Sequence, residues 1–284
     1  MKLIDFDGLF DEKLTQYMTE NKDKHTEKQW EDIIPKLYKK FGDTHIPKLG
    51  CTPKEYYARM TDSELAEQLS AHLESDVPVP EFLCAEIESR DNAEILLPLL
   101  KSEDAQTVSY AVNLLGDDKR AFDEYFRILL ENGLDEDVRS DLTDILRLYA
   151  DEMKEKALAA YKAGKAQGYM LEIMSRVKAR DDEVYDVLMK AFLSADDTSL
   201  TSGYLAAYGD ERALPALLRK IEDRSIGFVE FQELKYAIEA LGGEYTEPRD
   251  FSADKDYLAI EAAAIKTAEE NHRNKSFIKQ NFHA

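Results

Sequence analysis

The stretch YGDERALPALLRKIEDRSIGFVEFQELKYAIEALGGE, residues 208–244, limits the possible folds more than any other part of the chain. Ala213, Leu214, Leu217, Leu218 and Ile221 fall at helical spacing and make one apolar stripe. Pro215 lies in the first turn, where a missing N–H costs little. The polar run EDRS breaks the helix. A second stripe, Phe228, Phe231, Leu234, Ile238 and Leu241, ends at Gly242-Gly243 in the manner of a helix C-cap. The spacing predicts an antiparallel helical hairpin with one shared apolar side.

The pattern recurs. VYDVLMKAF (184–192) aligns with ALPALLRKI (213–221) at a shift of 29 residues, AFDEYFRIL (121–129) fits the same frame, and ILLPLLKSE (95–103) fits it more loosely. A basic residue follows the stripe at Lys101, Arg127, Lys162, Lys190 and Arg219. The second helices end in LLGD (114–117), LYAD (148–151), AYGD (207–210) and ALGG (240–243), with VKARD (177–181) as a degenerate version. Marks at intervals of about 30 residues are those of stacked helical hairpins. Any antiparallel helical bundle shows amphipathic stripes; stripe, basic residue and terminator in common register exceed what a bundle requires.

GDERALPALLRKIED…AIEALGGE resembles the HEAT-like repeat of phycobilisome lyases, clearly over 209–243, less so over 90–151 and 181–208, and weakly over 152–180. The resemblance implies an all-α fold, a HEAT-like α-solenoid in which antiparallel helix pairs wind into a right-handed superhelix. It also implies protein binding as the usual role of such arrays. Residues 1–61 read as an N-terminal helical cap, 62–243 as the repeat array, and 244–284 as a loop, a capping helix and a basic tail. Three capping boxes punctuate the first part: Thr26 with Gln29, Thr52 with Glu55, and Thr61 with Glu64. SDVPVPE (75–81) is a rigid break before the first repeats.

Charge narrows the choice of partner. The net charge is −21: residues 1–61 are neutral, residues 62–270 carry 47 acidic against 23 basic residues, and the last fourteen carry three basic residues and no acid. Phosphate backbones require compensating Lys and Arg, so an acidic body disfavours nucleic acid. Acidic residues in the first thirteen positions do not fit a signal peptide, and no apolar run reaches membrane-spanning length. Cys51 and Cys84 match neither a metal motif nor a disulfide framework. A cytoplasmic protein is the expectation.

Motifs that point to catalysis fall short. LIDFDGLF (3–10) resembles the first motif of haloacid dehalogenase-type phosphatases, but Leu9 replaces the usual Thr and no βαβ alternation follows; a helix entry is expected instead. EENH (269–272) has the spacing of di-iron helices in a single copy, where such sites need two. HEAT-repeat deoxyhypusine hydroxylases use His-Glu pairs inside the repeats; this chain has none, and His25, His45, His72, His272 and His283 all lie outside 90–243. Nothing marks a bilin site. No catalytic residue, metal ligand or cofactor site is assigned.

In helical solenoids the second helices line the inner face. Here they carry Tyr110, Asn113, Asp144, Arg147, Tyr204, Tyr208, Glu233 and Tyr236. Tyrosines among acids suit a protein or peptide with basic and apolar anchors. The expectation is a non-catalytic interaction scaffold with an acidic, Tyr-containing concave face. The alternatives are a HEAT-like enzyme of the alkylated-base glycosylase type and a structural oligomer subunit.

Overall fold

Local signals set the first helices of the computed structural model, which describes residues 3–22, 24–131, 135–264 and 266–267. The basic tail, EENH and two of the five histidines, His272 and His283, lie outside the described residues. The Asp5 carboxylate accepts from Gly8 N at 2.7 Å and starts α1 (Phe6–Glu20), so the DFDG motif is a helix entry. The three capping boxes start α2 (Glu27–Phe41), α3 (Pro53–Ala58) and α4 (Asp62–Leu73), each satisfying two otherwise unpaired backbone donors.

The remaining helices are α5 (Glu81–Ser89), α6 (Ala105–Leu115), α7 (Phe122–Leu130), α8 (Glu136–Leu148), α9 (Ala150–Lys162), α10 (Gln167–Met174), α11 (Asp182–Ser194), α12 (Ser199–Tyr208), α13 (Leu214–Ile221) and α14 (Phe228–Ala240). The described residues contain no strand, only the isolated bridge between Ile46 and Cys51, and the fold is all-α. One expected α-helix is different in kind. Residues 95–103 contribute 3-10 turns, Ala93–Ile95 and Leu97–Lys101. The backbone N–H groups of Leu96, Leu99 and Ser102 bond the carbonyls three residues back, the 3-10 pattern, which runs only in short pieces.

Contacts divide the chain into two compact units, 1–146 and 147–284, a boundary inside the last turn of α8. The expected divisions at 61/62 and 243/244 do not coincide with it. In the first unit the N-terminal helices pack directly on α5: Phe82 stacks on Tyr38 at 4.8 Å and meets Phe6 and Phe41 edge-on or tilted. This aromatic cluster is why residues 1–61 and the helices after them share a core.

In the second unit α9 packs on α10, α11 on α12 and α13 on α14, while α12 also packs against α10 and α14. The α9–α10 pair occupies the stretch with the weakest repeat signal; its buried face includes Ala157, Ala160 and Met153, small or flexible residues that blur a stripe. Leu205, Leu217, Leu234 and Ile238 are at most 1% exposed, and each contributes about 2 kcal/mol by leaving water. Beyond α14, Phe251 and Tyr257 pack on Phe228, and Arg249 lies 5.0 Å over the Phe231 ring while donating to Ile221 O. The loop and Tyr257 therefore cover α14; residues 258–264, expected as a capping helix, are helical but exposed.

In each unit some ion pairs join residues 27 to 30 apart. Arg90 Nη1 bonds Asp62 at 2.6 Å, 28 residues back, and Arg120 Nη2 bonds Asp91 at 3.2 Å, 29 back. Lys154 Nζ bonds Asp181 at 2.6 Å across 27 residues, and Arg212 Nη1 bonds Asp182 at 2.8 Å across 30. Asp118 and Asp210 repeat one device. Each carboxylate caps a 3-10 turn through the backbone N–H two residues on and grips the Arg at that same position.

Candidate functional site

The helix α12 carries Leu200, Gly203, Ala206 and Ala207 at spacings of three and four, so a leucine and a run of small side chains share one face. Small residues keep that face low. Neighbouring helices rise on either side, and a hollow of about 370 Å³ forms over it. Tyr236 and Ala240 of α14 line one wall; Glu172, Ser175 and Arg176, at the C-terminal end of α10 and just beyond it, line the other. The volume lies at the lower end of the range for small-molecule sites and would hold one or two peptide side chains.

Three aromatic or aliphatic groups define the interior. Leu200 is 66% exposed and Tyr236 63% exposed, although both are large and apolar enough to gain from burial. Tyr204 is buried, and desolvation, with the Glu172 carboxylate as a smaller influence, pushes its hydroxyl up to about 12. Tyr204 therefore stays protonated at neutral pH. Glu172 is held by Arg147 Nη1 at 2.7 Å. Arg176 is exposed on the rim and forms no ion pair among the described residues.

The eight residues singled out from sequence lie on α6, α8, α12 and α14, and not in one place. Tyr110, Asn113 and Asp144 belong to the first unit; Arg147, Tyr204, Tyr208, Glu233 and Tyr236 belong to the second. Tyr204 and Tyr236 line the hollow, and Arg147 reaches it through Glu172. Tyr208 has another task. Its hydroxyl donates to Asp181 O at 2.9 Å and accepts from Asp181 N at 2.8 Å, which ties α12 to the turn before α11. Glu233 and Asn113 are exposed, and Tyr110 is half-buried. Leu200, Gly203, Ser175 and Arg176 were not anticipated. The spacing Gly203, Ala206, Ala207 was the readable signal, a low strip on an otherwise ordinary helix.

Ser175 Oγ donates to Glu172 O at 2.6 Å within its own helical turn. Among the described residues no group of three His, Cys, Asp or Glu side chains could hold a metal ion, and no helix is long and apolar enough to cross a membrane. Comparison of the chain with protein-family models, with curated proteins and with solved structures finds no match.

Proposed function

We propose that this protein is a non-catalytic interaction scaffold, a HEAT-like α-solenoid whose second-helix surface docks a segment of another protein. The observation that carries the reading is the hollow over Gly203, Ala206 and Ala207. Its two most exposed large side chains, Leu200 and Tyr236, gain burial only when something fills the space between them. A partner side chain that is aliphatic or aromatic would enter the hollow, while Arg176 and Glu172 offer polar contacts to the flanking main chain. Tyr236 is the kind of residue that contributes most at such a contact, because its ring gives area at little entropic cost.

The test is a photocrosslinking residue at position 236 of the full-length chain in native lysate, followed by identification of the joined segment. The expected result is one protein segment with an apolar side chain at the crosslink, bound directly when made as a peptide and lost with Leu200→Asp. Crosslinks to a second copy would favour the structural subunit instead. Crosslinks to nucleic acid would favour the glycosylase-type reading, for which the exposed Arg176, Lys178 and Arg180 are the available cations. A peptide that binds Leu200→Asp unchanged would remove the hollow from the interaction.

A further inference from the structure

The first unit contains a larger hollow of a different character, about 560 Å³, between α4 and the 3-10 turns of residues 93–101. Helix α4 buries Leu65, Gln68, Leu69 and His72, which turns Glu67, Ala71 and Glu74 toward the opposite side. The floor is apolar, with Ala66, Ala71, Ile95 and Leu99, and Pro98 closes one edge. Glu67, Glu74 and Glu94 stand around it, exposed, and none forms an ion pair among the described residues. Asp62 also borders the hollow, but Arg90 and Asn92 already hold it at 2.6 Å each.

Nothing nearby in sequence can neutralise those three carboxylates. Residues 62–146 hold 22 acidic and only six basic residues. Arg90, Lys101, Arg120 and Arg127 are each in ion pairs, Arg139 donates to Leu129 O, and Lys119 is also engaged. Glu67 lies on α4 and Glu74, seven residues on, is its C-cap, about 10.5 Å further along the helix axis. A polyproline II chain rises about 3.1 Å per residue with three residues per turn, so its side chains at i and i+3 share one side about 9 Å apart.

We propose that this hollow binds a basic segment of a partner protein, a polyproline II chain with Lys or Arg at positions i and i+3 and apolar side chains between them. The cations would meet Glu67 and Glu74, with Glu94 facing them, and the apolar side chains would rest on Ile95 and Leu99. Charge complementarity selects this occupant. An acidic or neutral peptide leaves the carboxylates unpaired, and nucleic acid adds charge of the wrong sign. The site is independent of the hollow in the second unit, so together they make the scaffold bivalent.

The experiment uses full-length protein and a fluorescein-labelled synthetic peptide with two lysines three residues apart separated by leucines, read by fluorescence anisotropy at two salt concentrations. Wild type is expected to bind, more weakly at higher salt. The triple variant E67Q/E74Q/E94Q is expected to lose at least about tenfold in affinity and most of the salt dependence. A charge-matched control, E136Q/D137N/D141N, is expected to stay within about twofold, and L200D/Y236A to bind normally. Absence of binding to wild type overturns the proposal. Equal weakening of both triple variants also overturns it, because the attraction is then diffuse. Undiminished binding of a peptide with serines in place of leucines rejects the apolar half of the site.

Discussion

Residues 62–146 and residues 147–267 are built with the same devices and carry different surfaces. Both use helices joined by an Asp that caps a 3-10 turn and grips an Arg, and both link side chains across intervals near 30 residues. The first stretch holds 22 acidic and six basic residues; the second holds 23 and 17. Of the nine exposed large hydrophobic side chains among the described residues, only Tyr17 lies in the first unit. The internal ties therefore stay nearly constant along the chain while charge gathers in one part and apolar exposure in another. The sequence reading joined acids and tyrosines in one face; the structure places the exposed Tyr236 in the less acidic unit.

The shared Asp device gives the largest expected effect. Asp210 has a side chain 2% exposed, accepting from Arg212 N, Nε and Nη2; that of Asp118 is 22% exposed with the same three contacts to Arg120. Arg212 and Arg120 are equally exposed and each keeps a second carboxylate, so the difference lies in the carboxylate: its loss uncaps the backbone N–H of the 3-10 turn, which costs more where water cannot take its place. We expect Asp210→Ala to destabilise its unit by about 3 kcal/mol and Asp118→Ala by about 1 kcal/mol, read by urea unfolding with hydrogen exchange followed separately in each unit. The Arg partner holds both carboxyls below their usual range. A depressed folded pKa contributes fully above about pH 4 and is lost as pH falls through the folded value. The Asp210→Ala deficit should therefore shrink at pH 3. Equal costs for the two variants would mean that burial does not distinguish the units at this motif.

The terminating glycines form a second matched pair. Gly209 has φ 76° and ψ 24°, the left-handed conformation other residues adopt at modest cost. Gly116 has φ 52° and ψ −127°, a region reserved for glycine. Its carbonyl also accepts the buried Tyr125 hydroxyl at 3.0 Å. Gly116→Ala is expected to cost about 2 kcal/mol and Gly209→Ala about 1 kcal/mol. The order of the two costs, measured as above, is the result that matters.

Legibility in the sequence followed the range of the interactions. Capping boxes at Thr26, Thr52 and Thr61 need only neighbours three residues away, and all three form. The hairpin at 213–241 was readable because its stripes are made of large side chains. The α9–α10 pair was faint because much of its contact is alanine, and the 93–101 turns were misjudged because a short apolar run does not reveal α from 3-10 geometry. In the candidate site, helical spacing put Tyr204 and Tyr208 on one helix and Tyr236 on another, and α12 and α14 carry them. It could not tell a wall from a clamp: the role of Tyr208 depends on the main chain of Asp181, 27 residues earlier. Nor could it show that Tyr110 lies in a different unit from Tyr204.

That distinction between wall and clamp is open to a smaller test. Tyr208→Phe removes two hydrogen bonds with Asp181 and is expected to cost about 1 kcal/mol. Tyr236→Phe keeps the ring and is expected to leave stability unchanged, since the side chain is 63% exposed. Thermal unfolding of the two variants separates them. A loss of stability with Tyr236→Phe would assign that hydroxyl to the fold instead of a docking surface.

The smallest effect concerns the charge asymmetry itself. Self-repulsion among 22 carboxylates with six cations weakens the folded state of residues 62–146, and dissolved salt screens it over a Debye length of about 8–10 Å near physiological strength. Raising sodium chloride should therefore slow hydrogen exchange more in helices α4–α7 than in α11–α14. The same salt would weaken the basic peptide in the first hollow, so stability and binding should move in opposite directions there. In residues 147–267, where 23 acids face 17 cations, neither should move much. A uniform response along the chain would mean that local ion pairs already absorb the acid surplus. The three unpaired glutamates around the first hollow would then have no more pull on a cation than any other exposed carboxylate.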